Sequence, residues 1–111
     1  MYNTVFIVGR LAQMPDFEAL RNPQKDALIH LKVYRPFDEL LNKKEHDLIP
    51  IVLWNGMASL INDTCEIGSY LSIKGRLMNL KEHPQYEDYH VMYIRGESVE
   101  LLDAVFVKES D

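Results

Sequence analysis

Apolar and polar residues alternate with a period of two over five stretches of this chain, the spacing that turns one side of a β-strand toward a core and the other away from it. In the first, Asn3 to Leu11, the residues Val5, Ile7 and Leu11 alternate with Thr4, Phe6, Val8 and Arg10, and Gly9 interrupts the pattern where a small barrel bends. Both faces are apolar, so Phe6 and Val8 either pack into the core or meet another subunit or element. Ala27 to Tyr34 alternates more cleanly, with Ala27, Ile29, Leu31 and Val33 on one face and His30, Lys32 and Tyr34 on the other. Leu48 to Trp54 is a third strand, in which Pro50 implies an edge or a bulge because proline cannot donate to a ladder. In the fourth, Tyr70 to Leu80, Leu71, Ile73 and Leu77 oppose Ser72, Lys74, Arg76 and Met78, with Gly75 on the inward side. Tyr89 to Val99 makes the fifth.

The connections are more varied. Residues 14 to 26 hold Pro15, Asn22, Pro23 and Asp26, a turn-rich loop. Phe37, Leu40 and Leu41 stand at helical spacing before the charged run 42 to 45, and residues 81 to 88 are polar and turn-like. Asn55 is suited to cap a short helix that carries Met57, Leu60 and Ile61 on one face. Five strands with a helix between the third and fourth predict an all-β, five-stranded Greek-key barrel of the oligonucleotide- and oligosaccharide-binding (OB) type. Ile49, Ile51, Leu53, Leu71 and Ile73 would line its interior. The barrel domain is expected over residues 1–104, with 105–111 a short acidic tail.

Composition agrees with one folded domain: 111 residues, 47% hydrophobic and 26% charged. No apolar run approaches the ~18 residues that cross a bilayer, and the N-terminus has no signal-peptide pattern, so a cytoplasmic protein is expected. Cys65 is alone, which rules out an intrachain disulfide and suits a structural thiol. The formal charge of −5 argues against a polyanionic partner. Its distribution weakens that argument, because Glu97, Glu100, Asp103, Glu109 and Asp111 crowd the end beside Lys108, leaving the first 96 residues with 11 bases against 12 acids.

Strand parity then gives a surface. Lys32 and Tyr34 share the outer face of strand two, Lys74 and Arg76 that of strand four, and Trp54 ends strand three. Cations interleaved with aromatic rings suit a single nucleic-acid strand, whose unpaired bases stack and whose phosphates need neutralising. Lys43 and Lys44, in a loop, fit a clamp on such a strand equally with an ordinary solvated loop, and Arg10 and Arg95 have less support. Trp54 by itself fits a core residue sealing the barrel rim. Tyr86, Tyr89 and Tyr93 fit stacking platforms or barrel packing, the latter favoured for the two within the strand. His83, Glu87 and His90 lack metal-ligand spacing, no phosphate loop or nucleophile motif is present, and neither catalysis nor a cofactor is expected.

Three segments, Asn3-Thr-Val-Phe-Ile-Val-Gly9-Arg-Leu11, Ile51-Val-Leu-Trp54-Asn-Gly-Met-Ala58 and Ile67-Gly-Ser-Tyr-Leu-Ser-Ile-Lys-Gly75-Arg-Leu77, resemble in order and spacing the bacterial single-stranded DNA-binding protein family over residues 2 to 102. The resemblance implies an OB barrel that forms homodimers or homotetramers in part through the first strand, here Thr4, Phe6 and Val8. It implies sequence-independent binding of single-stranded DNA in replication, recombination or repair, near the nucleoid. Trp54 falls where the family stacks a base, which reverses the core preference for it, and Tyr34, Arg35 and Phe37 lie near a second stacking position. Leu48 and Glu82 stand where members carry aromatics, with Tyr86 a substitute for the latter. The last residues, Val105 to Asp111, lack the acidic tail ending in Ile-Pro-Phe that recruits replication and recombination proteins, so any such partner would be met by another route. These departures and the negative charge also fit an OB-fold protein-interaction module, primosome-like or a phage accessory, that binds DNA weakly.

Overall fold

The computed structural model describes residues 1–20, 24–79 and 92–102. The alternating segments become five strands, β1 (Val5–Asp16), β2 (Asp26–Tyr34), β3 (His46–Trp54), β4 (Tyr70–Asn79) and β5 (Met92–Leu101), with one helix, α1 (Asn55–Thr64), between β3 and β4. They close into a barrel in the order β1-β2-β3-β5-β4, in which only the β3–β5 pair is parallel. This is the expected all-β OB architecture. Among the described residues no helix is long and apolar enough to cross a membrane.

The inward rows are those the alternation assigns. Ala27, Ile29, Leu31, Ile51, Leu53, Leu71 and Ile73 are all fully buried, joined by Leu11, Ile61 and Ala58, and Ile49 packs partly buried against them. Ala58 and Ile61 turn α1 against the barrel, with Met57 partly buried beside them. Phe6 and Val8 are 73% and 51% exposed, so neither belongs to this core.

Pro50 sits inside β3 without breaking its ladder with β2. The backbone bonds Arg35 N–H to Glu45 O and Asn55 N–H to Lys25 O show which cross-strand pairs exchange hydrogen bonds. Counting the alternation inward from them puts His30 and Pro50 at a non-hydrogen-bonded pair, where β2 asks no donor of the proline. Among the described residues β5 is registered with β3 at Ile51 and Val52, beyond the proline.

Several expectations need correction. β1 runs to Asp16, through residues read as loop, because register shifts between Leu11 and Gln13 and between Gln13 and Asp16 coil it from β4 onto β2. Phe37, Leu40 and Leu41 form no helical turn. Asp38 instead accepts from the backbone N–H of Leu40 and Leu41 and pairs with Lys43 across a tight turn in which Asn42 adopts φ 51°. Asn55 is the first residue of α1 and Trp54 takes the cap position, at φ −56° and ψ 141°. Leu60 points to solvent, 54% exposed, and so does Leu77, 44% exposed, near the end of β4. The starts of the fifth strand at Tyr89 to Val91, the loop at 81 to 88 and the tail lie outside the described residues.

Gly75 sits at a shift in the β4–β5 register between Lys74 and Gly75, where Glu97 is the extra residue of β5. That extra residue keeps Ile94 and Gly96 inward before the bulge and Val99 inward after it. A methyl group on Gly75 would fall within 2.9 Å of the Arg95 carbonyl group, backbone that cannot swing aside. Gly75→Ala should therefore lower the urea midpoint with little change in slope, by about 1–3 kcal/mol as for other overpacked sites.

Candidate nucleic-acid interface

The β2–β3 register sorts the outer residues into facing pairs: Tyr34 with His46, Lys32 with Leu48, His30 with Pro50, Leu28 with Val52 and Asp26 with Trp54. Directly opposed residues share a face, so Tyr34 and Trp54 occupy opposite ends of one ribbon. They are separated by eight residue steps, about 26 Å of strand at ~3.3 Å per residue. Both rings are open, Trp54 at 59% and Tyr34 at 45% exposure.

Cations gather around the Tyr34 end. Lys44 Nζ lies 4.7 Å and Lys32 Nζ 5.2 Å from the Tyr34 ring centre, and His46 meets the same ring edge-on at 5.9 Å. Next to Lys32 on β1 is Arg10, whose guanidinium lies 4.6 Å over the Tyr70 ring. One row across four strands therefore reads Tyr70, Arg10, Lys32, Leu48, with Leu48 55% exposed at its end. Lys74 lies farther along β4, 5.8 Å from the Phe6 ring, and so belongs beside the exposed apolar face of Phe6 and Val8.

At the Trp54 end the cations are paired. Arg95 Nη1 is 2.7 Å from Asp26 Oδ1, and Arg76 Nε is 3.1 Å from Glu97 Oε1. Arg95 also faces Val52 on β3 and Arg76 on β4, so it stands nearer to Trp54 than strand alternation alone could indicate.

Arg35 is separated from Tyr34. It pairs with Glu45 on the opposite side of the ribbon, where its Nε and Nη2 donate to Asp47 Oδ2 and Oδ1 at 3.0 and 2.8 Å and its Nη1 to Glu45 Oε2 at 3.4 Å. With Lys43, Asp38 and Leu41 it lines a small cleft at the ribbon tip. Phe37, 52% exposed, lies just beyond β2, and Thr4 is exposed ahead of β1. Tyr86 and Glu82 lie outside the described residues, as do His83, Glu87, Tyr89 and His90. Tyr93 is half-buried, its hydroxyl 3.9 Å from the Met78 sulfur, in keeping with packing.

The sequence of residues 2–102 matches the pattern of the single-strand binding protein family. The chain belongs to that family. Among its relatives, single-stranded DNA-binding protein 1 of Streptococcus pyogenes is 29% identical over 104 residues, covering 94% of this chain and 79% of that one. Single-stranded DNA-binding protein B of Bacillus subtilis is 27% identical, covering 93% of this chain and 92% of its own. Of solved structures, a Plasmodium falciparum SSB in complex with ssDNA superposes with a TM-score of 0.71 at 22% identity, over 93% of this chain and 96% of that one. The dimeric N-terminal domain of a PriB protein from Thermoanaerobacter tencongensis gives 0.60 at 23% identity, over 89% and 94%. These two likenesses establish the fold.

The hydrogen bonds from Arg35 hold the Asp47 carboxyl below its ordinary value, helped by the charges of Arg35 and His46 and opposed by desolvation. A carboxyl depressed in the folded state stabilises the fold above its unfolded pKa, and that contribution disappears as pH falls through the folded one. An NMR titration should find Asp47 titrating below an unperturbed aspartate, and Arg35→Ala should return it to the ordinary range.

Proposed function

We propose that the chain binds single-stranded DNA without reading its sequence, along the outer face of the β2–β3 ribbon between Tyr34 and Trp54. The observation that carries this reading is the pair of exposed rings at the two ends of one face, with Lys32 and Lys44 at one of them. Flat rings accept any base, and ammonium groups meet phosphates whatever the sequence. Among the described residues Arg10, Lys25, Lys32, Lys43, Lys44 and Lys74 make no ion pair with a carboxylate, and of these Lys32 and Lys44 stand beside the Tyr34 ring, ready for phosphate. Arg35, Arg76 and Arg95 would first have to leave theirs.

The role is one of binding and protection rather than catalysis, in the cytoplasm beside the nucleoid, during replication, recombination or repair. Thr4, Phe6 and Val8 form the subunit interface of a homodimer or homotetramer: a large phenyl ring left bare on a sheet face is the mark of a surface that another subunit covers. Lys74 sits at its margin. A second reading, an OB module that meets proteins and holds DNA weakly, is favoured by the three carboxylate-paired arginines and by Leu48. It requires a shallow salt dependence.

Titration with oligo(dT) at low salt should quench Trp54 fluorescence, and an unquenched, folded protein would remove the first reading. Trp54→Ala and Tyr34→Ala should each weaken binding by about 5- to 150-fold, the equivalent of one stacked base at roughly 1–3 kcal/mol. Leu48→Trp should strengthen it, by placing a third ring on the same face. Lys32→Ala should make the log–log salt slope shallower by about 0.7, the value of one phosphate on a single strand.

A further inference from the structure

Gly56 is the second residue of α1, a position where glycine is a poor choice because it loses more backbone freedom in a helix than alanine does. Its surroundings supply a reason. A methyl group built on Gly56 would fall within 2.8 Å of three carbons of the Trp54 indole, Cη2, Cζ3 and Cζ2, the outer part of its six-membered ring. The indole therefore lies across the start of the helix, over the Gly56 α-carbon, in space that any side chain would take. Trp54 is nonetheless 59% exposed. It is held on one side and open elsewhere.

From this contact we infer that Gly56 is a positioning residue for base stacking: the bare α-carbon is the seat on which the Trp54 ring rests at the end of the ribbon. The inference builds on the reading of Trp54 as a stacking platform. An exposed tryptophan free to turn about its side-chain bonds would lose that freedom on meeting a base, whereas a ring already seated loses less and binds more tightly. The Gly56 backbone is an ordinary part of the helix, with no positive φ, and the three nearest atoms to the added methyl all belong to Trp54. The two roles of the position thus oppose each other, since alanine suits the helix and displaces the ring.

That opposition supplies the test. Gly56→Ala should raise or leave unchanged the thermal midpoint, increase acrylamide quenching of Trp54 in the free protein, and weaken binding of a fluorescein-labelled oligo(dT), read by anisotropy, by about tenfold, within the range of one stack. Trp54→Phe removes the indole atoms that meet the added methyl. In that background Gly56→Ala should have no further effect on affinity. Unchanged affinity and quenching in Gly56→Ala, while Trp54→Ala binds weakly, would overturn the role of Gly56 and leave the platform standing. Equal losses in the Trp54 and Trp54→Phe backgrounds, or a loss that follows a lowered midpoint, would also overturn it by showing general damage to the helix. Wild-type affinity in Trp54→Ala would remove the platform itself, and the proposal with it.

Discussion

The register between β2 and β3 is the constraint on which the rest of the structure depends. It places Ala27, Ile29 and Leu31 opposite Leu53, Ile51 and Ile49, so that one face of the ribbon is buried core. The same pairing then obliges Tyr34, Lys32, Leu48 and Trp54 to share the other face, because a slip by one residue would exchange the two sides entirely. Burial of the aliphatic row is what holds the outer row in line. The proline within β3 respects this register by standing at a pair that exchanges no hydrogen bond, and the bulges in β1 and β5 close the remaining strands around it without disturbing it.

Charge is organised by that register as well. A chain of net −5 meets a polyanion only if its carboxylates are kept away from the contact row or occupied. Both devices are present. Glu45 and Asp47 fall on the opposite side of the ribbon from Tyr34, where Arg35 engages them, and Asp26, which does share the face of Trp54, is occupied by Arg95. Lys32 and Lys44 are both left over the Tyr34 ring rather than beside acids. Local pairing thus decides the field at the ribbon more than the total does, since exposed charges beyond about 8–10 Å are largely screened at physiological salt.

Strand alternation made most of this architecture legible in the sequence. Clean rows such as Ala27 to Val33 report burial directly, and the inward assignments of Ile51, Leu53, Leu71 and Ile73 hold in the structure. What alternation cannot carry is any event that changes its phase. The extra residues in β1 and at Glu97 keep the inside inside by skipping a step, and neither has a signature beyond the glycines nearby. Arg35 falls on the other side of the ribbon from Tyr34 for a related reason: it follows Tyr34 by one residue, and one residue is half a period. The Asp38 turn was hidden because Phe37, Leu40 and Leu41 imitate a helical face while remaining exposed, so spacing without burial carried no information. The pairing of Arg95 with Asp26 joins strands far apart in sequence, and only the barrel order brings them together.

The two ends of the ribbon differ in how they hold their rings, and this follows from what each end adjoins. Tyr34 stands where β2 leaves the barrel, and its ring meets the ends of two lysines and a histidine, side chains with rotatable stems. Trp54 stands where β3 turns into α1, and its ring lies over rigid helical backbone. In the proposed binding mode, an adaptable ring at one end and a seated one at the other would give a strand of nucleic acid one fixed point and one yielding point. Such an arrangement suits a ligand whose bases vary in size from one site to the next, because a fixed ring can secure register on the ribbon while mobile cations accommodate the differing backbone path.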